Sequence, residues 1–363
     1  MVKVSAEIQS LKPYIPGKPI GETMREYGLN KVYKLASNEN PLGPSPKAVE
    51  AVKMALSELH RYPDAAFFDL RQTMSKYYDV APEFLTFGNG SNELIDLLIR
   101  IFCEPGESIL TSQAAFIAYK ICAQAARVNT IETPLTTGMR FDLKAMSEKV
   151  QSGVRLIFIA NPNNPTGTYV TAKELDEFLM SLPKEDPPLV VLDEAYCEFV
   201  RAADYPDSIN IVKRHSNVIV LRTLSKVYGL AALRVGTMVA HPEVIDFVDR
   251  VRNPFNVNSL AQVAAIAAVT DAQFLTEAQK VNWQGLDYFY DELSKMGLEH
   301  WPSQGNFVLL DSKLDSSELH EQLLQQGVIL RPVKGYGLPT HMRMSVGLPE
   351  ENHAAIEALK KVL

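Results

Sequence analysis

Four short stretches hold residues whose chemistry is complementary. Lys226 closes Arg222-Thr223-Leu224-Ser225-Lys226, with Gly229 and Arg234 following. Its amine can bond a carbonyl carbon as an imine, although a lone lysine is more often a surface charge. Asp193 opens Asp193-Glu194-Ala195-Tyr196. A carboxylate there can keep a ring nitrogen protonated, and by itself it is equally a helix cap or a solvated turn. Asn161-Pro162-Asn163-Asn164-Pro165-Thr166-Gly167 is a stiff loop that offers amides, and alone it reads as a Pro/Asn/Gly turn. Gly88-Asn89-Gly90-Ser91-Asn92-Glu93 precedes a helical pattern, so its free backbone N–H groups and the positive end of the helix dipole could cradle an anion. Small-residue turns before helices are common, and this motif is weak on its own.

The elements around these stretches join them. Residues 154–160, 189–192 and 218–221 are apolar almost throughout, as strands covered on both faces are, and each runs straight into one of the first three motifs. Leu94, Leu97, Leu98 and Ile101 follow helical spacing after the glycine turn. Strand-like and helix-like runs alternate, which predicts an α/β architecture around a largely parallel sheet. Such sheets bind ligands at the carboxyl ends of their strands, where amide, carboxylate and lysine are delivered here. An imine-forming lysine, an acid for a ring nitrogen and an anion cradle are what a pyridoxal-phosphate enzyme requires.

Beyond about Asn282 the pattern becomes strand (306–310), helix (316–326), strand (328–331), strand (342–346) and a last helix from Pro349. The expected division is an extended arm over 1–35, rich in proline, a large domain over 36–281 and a small C-terminal domain over 282–363. Where the arm packs is left open. With 363 residues and 46% hydrophobic content the chain can build both cores. A net charge of -7 without a dense basic run speaks against nucleic acid. Three widely spaced cysteines, Cys103, Cys122 and Cys197, suit reduced thiols in a cytoplasmic protein and suggest no metal site. The richest apolar run, 260–269, is too short to span a bilayer.

The chain resembles the histidinol-phosphate aminotransferase family of the fold-type I, pyridoxal-phosphate-dependent transferases over essentially its whole length. The matching stretches are Leu11-Lys12-Pro13-Tyr14, Ser37-Asn38-Glu39-Asn40-Pro41-Leu42-Gly43-Pro44, Arg61-Tyr62-Pro63, the 88–93 and 161–167 loops, 193–196, 223–234 and 330–346. The resemblance implies that Lys226 holds pyridoxal phosphate as a Schiff base, that Asp193 pairs with the ring nitrogen, and that Asn164 and Tyr196 bond the ring hydroxyl. It implies that Phe116 stacks on the ring, with Tyr119 as the alternative because the usual proline before the aromatic is absent. It places the cofactor phosphate against Gly90, Ser91 and Asn92, the hydroxyls of Thr223 and Ser225, and Arg234. Tyr62 would reach that phosphate from a partner subunit, which makes a homodimer part of the expectation. Ala232 stands where a glycine is common, and Asn92 where many members carry an acid.

For the substrate, the resemblance implies Tyr14, Asn40, Arg331 and Arg343. Arginine forks suit phosphate or carboxylate, although both residues could also be salt-bridge partners on the sheet. The expected reaction moves an amino group between histidinol phosphate and 2-oxoglutarate with ping-pong kinetics, a step of histidine biosynthesis. An aromatic amino acid aminotransferase and a pyridoxal-phosphate decarboxylase of a phosphorylated amino acid are the alternatives. A catalytically silent relative would lack the lysine, the acid or the phosphate arginine, and Lys226, Asp193 and Arg234 are all present.

Overall fold

The computed structural model describes residues 2–13, 17–150 and 153–363. Its strands are β1 Tyr33–Lys34, β2 Leu85–Gly88, β3 Ser108–Ser112, β4 Asn129–Thr133, β5 Val154–Ala160, β6 Leu189–Asp193, β7 Val218–Thr223, β8 Gly236–Val239, β9 Glu299–Trp301, β10 Phe307–Asp311, β11 Val328–Ile329, β12 Arg331–Pro332 and β13 His341–Ser345. Seven of them form the main sheet in the order β2-β8-β7-β6-β5-β3-β4, parallel except for β8, which runs against both neighbours. β5, β6 and β7 are buried along nearly their whole length, because helices cover both faces, and this explains their unbroken apolar sequence. Ala160 pairs with Asp193, and Asp193 with Leu221, so β5 and β6 end level and β7 runs two residues further, to Thr223.

A second sheet, β12-β13-β10-β9, has its own apolar core with Leu286, Phe289, Leu293, Ile356 and Leu359. The helix Ala272–Lys295 runs between the two cores. Phe274 and Ala278 belong to the first, and Leu286, Phe289 and Leu293 to the second, at steps of three and four residues that keep one face inward. Asn282, where the sequence pattern changes, lies inside this helix. It also grips the turn after β6: Trp283 Nε1 donates to the Phe199 carbonyl at 2.7 Å and Gln279 to that of Glu198 at 2.6 Å.

Two expectations are corrected. The single strand over 328–331 is two: β11 pairs with β1, whereas β12 pairs with β13, and Leu330 is the break between sheets. The N-terminal segment is not simply extended, since it contains the helices Ala6–Ser10 and Ile20–Tyr27. The second starts after Pro19 and stops at Gly28, whose φ of 66° is the left-handed conformation of a helix C-terminus. The first lies on the helix Ala118–Ala125, where Gln124 donates to the Glu7 carbonyl at 2.9 Å. Among the described residues, no helix is long and apolar enough to cross a membrane.

Candidate active site

The carboxyl ends of β5, β6 and β7 open onto a cavity of about 800 Å³, within the usual range for a small-molecule site. Asn164, Asp193, Tyr196, Thr223, Ser225 and Lys226 line it, with Ser91, Asn92, Phe116 and Arg234 on one side and Arg331 and Arg343 on the other. Lys226 is half-buried, its Nζ 3.5 Å from the Ser37 carbonyl and 5.7 Å from the centre of the Tyr196 ring.

Asp193 is only 4% exposed. Its Oδ2 accepts the Tyr119 hydroxyl at 2.7 Å, while its Oδ1 is buried with no hydrogen-bond partner of ordinary geometry. Burial pushes the carboxyl up to about 6, while Tyr119 and then the backbone N–H of Ala195 pull it down. A protonated ring nitrogen is the kind of donor that the Oδ1 atom lacks.

The next residue, Glu194, is fully buried. It receives Arg222 Nε and Nη2 at 3.0 and 2.8 Å on one oxygen, and Ser208 and Tyr205 on the other. This pair ties the end of β6 to the end of β7 directly behind the functional residues.

The helix Ser91–Phe102 points its N-terminus into the cavity, with Gly90 as its cap at φ 76°. A Cβ at Gly90 would sit 2.5 Å from Arg234 Nη2, and one at Gly236 would sit 2.4 Å from the Ser91 nitrogen. Only glycine lets the guanidinium, the helix start and β8 approach so closely. Thr223 Oγ1 donates to Ser225 Oγ at 2.9 Å, which sets both hydroxyls beside this cradle. Backbone N–H groups, two hydroxyls and an arginine make a site for a phosphate dianion.

Phe116 faces the cavity, whereas Tyr119 is fully buried behind it, stacked on Phe158 with ring centres 4.6 Å apart. Arg331 and Arg343 are cross-strand partners. Arg343 donates to Asn164 Oδ1 at 2.5 Å and to the Ala36 carbonyl at 2.6 Å. Asn40 is not brought to the cavity. Its Nδ2 donates to the Val227 carbonyl at 2.7 Å, and its Oδ1 accepts the Leu42 N–H at 3.0 Å, so its side chain shapes the loop instead. Asn38, two residues earlier, lines the cavity in its place. Tyr14 lies outside the described residues. Tyr62 is 80% exposed, stacks on Phe255, and does not line this chain's own cavity. Sequence reasoning missed Asn38, Ser345, Tyr119 as the partner of Asp193, and Tyr336, which also borders the cavity. Only the Asn38 stretch and the 330–346 motif carried a signal for any of them.

Comparison with known proteins agrees with this geometry. The family model for aminotransferase class I and II matches residues 30–359. A histidinol-phosphate aminotransferase of Bdellovibrio bacteriovorus is 52% identical over 100% of this chain and 98% of its own length. One from an Anaeromyxobacter species is 45% identical over the full length of both. Among solved structures, the histidinol-phosphate aminotransferase of Sinorhizobium meliloti in complex with pyridoxal 5'-phosphate superposes with a TM-score of 0.91 at 27% identity, covering 100% of this chain and 98% of that one. The aspartate aminotransferase of Thermus thermophilus with maleate, at 20% identity and a TM-score of 0.88 over the whole of both chains, shares the fold. The chain therefore belongs to the histidinol-phosphate aminotransferase family, within the class I and II aminotransferases.

Proposed function

We propose that the protein is a pyridoxal-phosphate-dependent aminotransferase that moves an amino group between histidinol phosphate and 2-oxoglutarate, the histidinol-phosphate transaminase step of histidine biosynthesis. The observation that carries this reading is the common edge of β5, β6 and β7, which puts Asn164, Asp193 and Lys226 on one cavity together with Arg331 and Arg343. Full-length identity of 52% and 45% to relatives named for that reaction supports it and does not favour the aromatic-donor or decarboxylase alternatives.

When bound, pyridoxal phosphate supplies an aldehyde carbon that an amine can bond and a protonated ring that draws electrons from the substrate's α carbon. Lys226 would tether it, and the Asp193 Oδ1 atom would meet its ring nitrogen. Asn164 and Tyr196 would face the ring hydroxyl and Phe116 the ring. Gly90, Ser91, Asn92, Thr223, Ser225 and Arg234 would hold its phosphate. Asp193 must be ionised to keep the ring nitrogen protonated by charge pairing. The Lys226 amine would be the base that takes the proton from the substrate's α carbon and carries it across. Arg331 and Arg343, with Tyr14, would bind the substrate phosphate, or the carboxylates of glutamate and 2-oxoglutarate in the other half-reaction.

We further take 36–281 as the cofactor-binding domain, 282–363 as the small domain, and a homodimer as the active unit. The exposure of Tyr62 beside Leu59, Phe68 and Phe255 suits a face covered by a second copy, with Tyr62 of the partner subunit completing the phosphate site. The test of the reaction is direct: purified protein with pyridoxal phosphate, histidinol phosphate and 2-oxoglutarate forms glutamate. Release of carbon dioxide without need of a keto acid would overturn the assignment.

A further inference from the structure

Two asparagines from distant parts of the chain converge on one oxygen. Asn164 Nδ2 donates to the Tyr196 hydroxyl at 3.3 Å and Asn38 Nδ2 donates to it at 3.0 Å. Each amide is oriented from its other end by a residue of β13. Arg343 donates to Asn164 Oδ1, and because a guanidinium is donor-only it forces the carbonyl end of that amide toward itself and the NH₂ toward Tyr196. Ser345 accepts the Asn38 backbone N–H at 2.9 Å, which leaves its own proton to donate to Asn38 Oδ1 at 2.8 Å. Arg343 and Ser345 are two apart on one strand and therefore lie on the same face of the sheet.

Asn38 is built for this place. It is 1% exposed and holds a φ of 54°, a left-handed conformation that asparagine tolerates better than most residues. Its carbonyl accepts Asn306 Nδ2 at 3.1 Å, so its backbone is pinned by Ser345 of β13 on one side and by Asn306, the residue before β10, on the other. Tyr196 is likewise buried, edge-on to Phe307 with ring centres 5.1 Å apart.

We infer that Asn38 is a positioning residue, and that Ser345–Asn38–Tyr196 is a hydrogen-bond line from β13 to the cofactor's ring oxygen, parallel to Arg343–Asn164. The inference rests on the cofactor reading above. With two N–H groups on its oxygen, the Tyr196 hydroxyl meets a ring oxyanion as a donor, and those two bonds polarise its O–H. That donation stabilises the deprotonated ring oxygen, so weakening it raises the pH at which the cofactor's visible absorption changes. Lys226 lies over the Tyr196 ring and Tyr119 interacts with it electrostatically, while Asp193, Tyr336 and Arg343 line the same cavity as Tyr196. All of them are retained in the variants below.

The experiment is an absorbance–pH titration of the holoenzyme, with cofactor content and thermal unfolding measured in parallel. Asn38→Ala moves the midpoint up by roughly half to one pH unit, the range expected for loss of one hydrogen bond. Ser345→Ala moves it the same way by less, and Ser345→Thr, which keeps the hydroxyl, restores the wild-type value. If Asn38→Ala does not fold, the Ser345 pair reads the same line. Midpoints indistinguishable from wild type in folded, cofactor-loaded variants overturn the inference while leaving the cofactor reading intact. A wild-type protein that acquires no visible band with pyridoxal phosphate overturns both.

Discussion

Replacing Tyr119 by phenylalanine removes one oxygen atom and tests the electrostatics of the ring acid. In the folded chain the fully buried Tyr119 hydroxyl donates at 2.7 Å to Oδ2 of Asp193, which is itself buried. A hydrogen bond to a charged group contributes about 1.5–3 kcal/mol, and about 1.36 kcal/mol corresponds to one pH unit. Burial already pushes Asp193 up to about 6, and the Tyr119 bond is the largest influence holding it down. Its loss therefore raises the Asp193 midpoint by roughly 1–2 pH units. Because the ionised carboxylate is the form that pairs with a protonated ring nitrogen, cofactor affinity falls as pH drops through that midpoint. The assay is the dissociation constant of pyridoxal phosphate from apoenzyme, measured from pH 5 to 9. Wild type loses affinity near pH 6 and Tyr119→Phe loses it at correspondingly higher pH. Coincident profiles for the two proteins would refute the assignment of Tyr119 as the partner that keeps Asp193 ionised.

Lys226→Ala abolishes transamination, and borohydride reduction of the wild-type holoenzyme leaves the cofactor on the peptide containing Lys226; labelling of another lysine contradicts the tether. For Asp193 the folded-state value of about 6 exceeds the ordinary 3.8, so its contribution is most favourable below pH 4 and is lost as pH rises through 6. Urea unfolding of the apoenzyme should show a decline on the order of 3 kcal/mol across that window. The decline should be absent in Asp193→Asn, which also loses most of its turnover when loaded with cofactor. Refolded mixtures of Lys226→Ala chains with chains lacking the N-terminal arm should regain activity if subunits complete each other's sites, and stay inactive if each subunit is self-contained.

The parts of the site that could be read from the sequence are those set by local pattern. β5, β6 and β7 are apolar because both faces are covered, so their ends and the residues following them stand out. The break at Leu330 is invisible locally, since β11 and β12 differ only in whether β1 or β13 supplies the partner. The choice between Asn38 and Asn40 depends on the Val227 carbonyl and Leu42 N–H that occupy Asn40, and on the Ser345 hydroxyl some three hundred residues away. Tyr119 could be read as a stacking ring because its spacing from Phe116 is known but not which of the two faces the cavity. The structure turns Tyr119 inward, against Phe158. Short helices in the N-terminal segment were hidden by its prolines, although Pro19 in fact precedes the first turn of one.

The most direct test of the substrate assignment is kcat/KM for histidinol phosphate against phenylalanine, tyrosine and aspartate, each with 2-oxoglutarate, in wild type and Arg331→Ala. A doubly charged phosphate can engage the guanidinium forks of both Arg331 and Arg343, which are cross-strand neighbours, whereas a single α-carboxylate leaves one fork less fully used. Losing one charged partner costs about 1.5–3 kcal/mol, so Arg331→Ala lowers kcat/KM for histidinol phosphate by roughly ten- to a hundredfold or more and that for phenylalanine by less. Wild-type preference for phenylalanine or tyrosine, or an unchanged ratio between phosphorylated and unphosphorylated donors in Arg331→Ala, would contradict it.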